Sequence, residues 1–156
     1  MGTFGFSYIG LIYLLMLFIP NIIWAKNQPS DYDPGIENKF LLAMERSGQI
    51  LCSAAMLCFS NTNPQVLDWW LIWFVLSVLL MLAYEGFWIR YFTGGHTMLD
   101  FYRPFLKVTY PGATLPCIAF LLLGIYGKLV WLIIASVILS IGHIGIHVQH
   151  YKKINS

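Results

Sequence analysis
The sequence predicts an all-α fold, a polytopic integral membrane bundle of five transmembrane helices forming a single domain over residues 1–156. Three observations predict it. Of the 156 residues 58% are hydrophobic and only 10% charged, with a mean hydropathy of +0.69, whereas soluble domains carry about 25% charged residues. Five apolar stretches each approach the ~20 residues that a bilayer core requires of a helix. Basic residues gather on alternate connections, as the positive-inside rule demands of a membrane protein. This composition excludes a soluble enzyme, a disordered linker and a secreted disulfide scaffold. The net charge of +2 is too small for a nucleic-acid-binding module, so the partner expected is the lipid bilayer and not nucleic acid.

The first stretch, Phe4–Trp24, reads as a retained span: no basic segment precedes it and no small-residue cleavage site follows. Pro29, Asp31, Asp33, Pro34 and Gly35 then mark a turn-rich connection. The second span, Phe40–Phe59, carries Glu45 and Arg46 about one turn inside its start. If it does not cross, four spans remain. Asn61, Asn63 and Pro64 break the chain before the third span, Trp69–Trp88, with Asp68 as a capping residue. In the next connection aromatic and charged residues alternate, Gly94–Gly95 offers a turn, and Thr97 three residues before Asp100 is a helix-start signal. The fourth span, Lys107–Tyr126, contains Pro116, which withdraws a backbone donor and predicts a kink. The fifth is Leu129–Val148. Cys52, Cys58 and Cys117 all lie in apolar runs with no paired-cysteine motif, and read as free thiols that pack.

Orientation follows from the basic residues at span ends. Lys26, Lys39, Arg90, Arg103, Lys107, Lys152 and Lys153 fall on one side, and only Lys128 on the other. This places the N-terminus outside and the C-terminus in the cytoplasm, in the cell membrane if the source is prokaryotic.

Ionisable residues inside a membrane are costly, and they mark protein interiors or water-filled cavities. Here they share one depth. Asn21, Glu45, Arg46, Gln49, Glu85, Tyr110, His143 and His147 all fall in the cytoplasmic half, and they form the candidate ligand-binding set. On the fifth span Ser136, Ser140, His143, His147 and His150 recur at helical spacing, which makes one polar stripe. Gly142 and Gly145 lie beside it and allow close helix approach. Glu45 and Arg46 are about 100° apart on a helix. Arg46 is therefore expected to reach Glu85 or a carbonyl at a helix end, leaving Glu45 for a histidine of the fifth span. Three histidines on one face suit a metal or haem. Without a His-Glu-x-x-His motif or a cysteine ligand beside them, His143, His147 and His150 are only weak metal candidates. No metal site is assigned, and the sequence names no cofactor.

The reading that follows is a small membrane protein with a polar pocket in its cytoplasmic half, binding or transporting a small ligand or ion. Carboxylates would contact a cationic or hydroxylated ligand, and histidines would exchange protons near neutral pH. Two alternatives stay open. One is a membrane-embedded enzyme acting on a lipid-like substrate through a Glu/His pair. The other is a structural or accessory subunit, with a homo-oligomer or a partner membrane subunit completing the assembly.

Overall fold
A computed structural model describes residues 2–65 and 67–155. Among these the fold is all helical, in the order α1 (Tyr8–Lys26), α2 (Lys39–Cys58), α3 (Leu71–Phe92), α4 (Met98–Phe101), α5 (Pro111–Tyr126) and α6 (Val130–Ile154). Short 3₁₀ turns at Pro34–Ile36 and Ser60–Thr62 lie in the connections on either side of α2.

Side chains cap the starts of three helices, α1, α2 and α4. Ser7 caps α1, its hydroxyl accepting from the Gly10 amide at 2.8 Å. The helix starts there and not at Phe4, because residues 3–7 are held extended against the end of α2. Gly5 N donates to Cys58 O, Ser7 N to Leu57 O and Ser60 N to Thr3 O. Asn38 caps α2 by accepting from the Phe40 and Leu41 amides. Thr97 caps the single turn α4 by accepting from Asp100 N at 3.1 Å. Asp68 accepts from Trp70 N at 3.0 Å, in the turn just before α3. The helix expected from Lys107 begins instead at Pro111. Leu106 and Lys107 sit at φ of 50° and 66°, a left-handed pair incompatible with a helical start, and proline then suits the first helical turn. α3 and α6 outrun their expected ends, reaching Phe92 and Ile154.

Three helices, α1, α3 and α6, are long and apolar enough to cross a membrane. Their outer faces are apolar: Leu15, Ile19 and Ile22 on α1, Val75, Leu79 and Leu82 on α3, and Ile134, Val137 and Ile141 on α6 are all exposed. Contiguous apolar surface on this scale is foreign to a soluble monomer. α2 carries Lys39, Glu45 and Arg46 within its length, and α5 at 16 residues is only about 24 Å long.

The most extensive contact joins α2 to α6, followed by α3 with α5 and α5 with α6. The first is backbone-close. A Cβ on Gly48 would strike the backbone of Leu139, and one on Gly142 the backbone of Glu45 and the carbonyl of Leu41. Glycine is required at both positions because any side chain would separate the helices. α5 is largely wrapped by its neighbours, burying Gly112, Ala113, Pro116, Cys117, Ala119 and Phe120 among others.

The bundle has two distinct ends. At one, Ser7 meets Thr62 at 2.6 Å and Trp70 Nε1 donates to the Tyr126 carbonyl at 3.0 Å. At the other, the connection from Asn27 to Asn38 folds back over the helix ends. Asp31 accepts from Met98 N at 3.2 Å, Asp33 pairs with Lys153, and Gln149 Oε1 accepts from Asn38 N at 3.1 Å. This connection acts as a strap across the end where the candidate site lies.

Candidate functional site
A cavity of about 250 Å³ opens beneath the strap. α6 supplies His143, His147 and His150, α2 supplies Glu45, and the strap supplies Tyr32 and Glu37. Asn21 and Trp24 from α1, Trp88 from α3, and Phe101 and Tyr102 around the end of α4 complete most of its wall.

Helical spacing carries the three imidazoles onto one face, and each finds a different partner. His143 Nδ1 is hydrogen-bonded to Glu45 Oε1. His147 Nδ1 meets the Tyr102 hydroxyl at 3.0 Å, and its ring stacks on Phe101. His150 Nε2 lies 3.1 Å from Glu37 Oε1 and stacks on Tyr32. Tyr32 donates to the same Glu37 oxygen at 2.8 Å. The His143 and His147 rings are 4.6 Å apart, edge to face. The side chains of His143 and Glu45 are 19% and 18% exposed, so the pair is sheltered yet reachable from the cavity.

Electrostatics outside the helices follow from these contacts. Burial, together with the neighbouring Glu37 carboxylate, raises the Tyr32 phenol above its ordinary range. Burial does the same for Tyr102. Both remain hydroxyl donors at neutral pH. Asp33 is held below the ordinary carboxylate range by the Lys153 ammonium and the Gly35 amide.

The residues expected from sequence divide into two groups. Asn21, Glu45, His143, His147 and His150 line the cavity. Asn21 also donates to the Tyr84 hydroxyl and the Leu17 carbonyl, both at 2.7 Å. Gln49 lines a void of about 20 Å³ that Asn21 and His143 share with Cys117. Tyr110 stands behind the wall, with its ring 5.1 Å from Tyr151. Arg46 is exposed on α2, and no ion pair joins it to Glu85 among the described residues. The helix turns Arg46 away from the face that Glu45 presents to α6. Glu85 lies outside the cavity wall, with one carboxylate oxygen buried and without a hydrogen-bond partner among the described residues. No group of three or more His, Cys, Asp or Glu side chains among the described residues is placed to hold a metal ion; the three histidines point instead to Glu45, Tyr102 and Glu37.

Sequence reasoning missed Glu37, Tyr32, Trp24, Trp88, Phe101 and Tyr102 as wall residues. It also missed the part played by Arg90. That guanidinium donates to the carbonyls of Asp100 (2.9 Å), Arg103 (2.9 Å) and Pro104 (3.4 Å), and lies 5.4 Å from the centre of the Phe87 ring. It thereby fixes the segment that presents Phe101 and Tyr102. A larger depression of about 400 Å³ lies at the opposite end, lined by Asn61, Asn63, Asp68 and Lys128 among others. It contains no histidine and a single carboxylate.

Comparison of the chain with protein families, curated proteins and solved structures finds no match.

Proposed function
We propose that the protein is a five-span integral membrane protein that binds or transports a small polar ligand or ion through the cavity under the strap. In this reading α2 and α5 cross beside α1, α3 and α6. α2 is eligible because Glu45 turns inward to His143, and α5 because its neighbours cover most of it and little of its short length must meet lipid. The N-terminus lies outside and the C-terminus in the cytoplasm. Lys26, Lys39, Arg90, Arg103, Lys107, Lys152 and Lys153 then share the strap end, as the positive-inside rule requires.

The observation that carries the functional reading is the cavity itself. Two carboxylates and three imidazoles converge on about 250 Å³ of space, in a bundle where α1, α3 and α6 present apolar outer faces. That volume is slightly below the range typical of drug-sized pockets, which favours a small ligand. The contact between Glu45 and His143 also favours a second reading, an acid–base pair acting on a lipid-like substrate.

The test is a thermal-stability screen of the detergent-purified protein against metals, haem, nucleotides, amines and lipids. A ligand of the native state raises the melting temperature. A ligand of this cavity should stabilise wild type and Glu85→Gln but neither Glu45→Gln nor His143→Ala. If no compound stabilises wild type, and the cavity variants are simply less stable, the polar cluster is a structural lock in an accessory subunit. Turnover of a stabilising lipid, lost in the same two variants, would establish the enzyme reading.

A further inference from the structure
The wall of the cavity is specific in what it contains and in what it lacks. Five aromatic side chains, Trp24, Tyr32, Trp88, Phe101 and Tyr102, surround the two carboxylates of Glu37 and Glu45, and no lysine or arginine is among the lining residues. The rings support one another in edge and tilted contacts: Trp24 with Tyr32 at 5.0 Å, Trp24 with Phe101 at 5.9 Å, and Trp88 with Phe101 at 5.7 Å. They form a preformed enclosure rather than isolated side chains. Among the described residues the hydrogen bonds of both carboxylates run to Oε1, and each Oε2 stands open to a ligand.

Aromatic faces carry negative quadrupole density and attract cations, most strongly where water is excluded, and quaternary ammonium groups are recognised in this way. An anionic ligand would meet two carboxylates and no guanidinium or ammonium. A hydrated metal cation would have to exchange its water shell for rings that cannot replace it, and would want a denser oxygen shell. Building on the reading of this cavity as a ligand site, we propose that its ligand is a small organic cation, an amine or a quaternary ammonium, held by Glu45 and Glu37 within the aromatic enclosure.

Tetramethylammonium tests this, since its own charge does not titrate. Calorimetric titration of the detergent-purified full chain should show saturable binding of this ion. Glu45→Gln should lose that binding, and Trp88→Leu should weaken it while leaving the unfolding transition cooperative. Equal binding of the uncharged near-isostere neopentyl alcohol, or of sodium, would overturn the proposal. Should tetramethylammonium fail while another compound stabilises the protein in a manner dependent on Glu45 and His143, the organic-cation assignment falls and the ligand site stands. If no compound binds, both fall.

Discussion
The exchange between His143 and Glu45 is the contact on which the site turns, and its two ends respond differently to substitution. His143→Ala leaves a sheltered carboxylate without its partner, and hydrogen bonds to charged groups contribute about 1.5–3 kcal/mol. Glu45→Gln retains an acceptor for the imidazole and should cost less, about 0.5–1.5 kcal/mol. Thermal unfolding in detergent reads both, and two neutral variants would show that the pair contributes nothing to the fold. Asp33 gives a pH dependence of known sign. Its carboxyl is held below the ordinary range in the folded protein by Lys153. The stabilisation is therefore present above the ordinary carboxylate range, and it is lost as pH falls through the lowered folded value. The melting-temperature gap between wild type and Asp33→Asn should be small and positive at neutral pH, and should close on acidification. A gap that widens in acid would refute the assignment. Among single residues, His143 and Glu45 were legible in advance because helical spacing and depth are local properties of a sequence. Arg46 was paired with Glu85 on depth alone, and the direction of its side chain around the helix decided otherwise.

At the scale of elements, the close crossing of α2 over α6 makes the sharpest demand. Gly142→Val would drive a branched side chain into the backbone of Glu45. Overpacking of this kind costs about 1–3 kcal/mol even where side chains can yield. Gly95→Ala is the control, since a Cβ there meets nothing within 4 Å and its φ is not positive. Comparable melting temperatures for the two variants would mean that the crossing is looser than described. Arg90→Ala should release three carbonyls of the third connection, and with them the presentation of Phe101 and Tyr102. The expected loss is about 1–3 kcal/mol, accompanied by faster proteolysis between α3 and α5. The positions of the helices were largely readable from hydropathy. Their ends were not, wherever a tertiary contact competes with the helix. Residues 3–7 pair with the end of α2 instead of joining α1, and the left-handed turn at Leu106–Lys107 delays α5 to Pro111.

The whole molecule makes a prediction about sides. In a cysteine-free background, Asn61→Cys should react with a membrane-impermeant thiol reagent applied to intact cells, and Asn155→Cys only after the cells are opened. If both react from outside, the chain crosses an even number of times between them, and the three crossings proposed from Asn61 to the C-terminus fall. The cavity wall is where sequence reasoning ran out. The hydrogen bond from His150 to Glu37 joins residues 113 positions apart, and no local periodicity encodes a meeting of that kind. Glu37 and Tyr32 lie in a stretch whose prolines, glycine and aspartates announce only a turn.

That long-range closure has a consequence for the order of events during synthesis. Chains emerge N-terminus first, so residues 31–38 leave the ribosome long before their anchors at Gln149, His150 and Lys153 exist. The last helix must therefore be made before the strap has anything on it to fasten to. A chain stopped after Val148 would retain all of its apolar stretches and yet hold an open, unsealed mouth. Closure of the cavity mouth is thus a late step, with Gln149, His150 and Lys153 as its clasp.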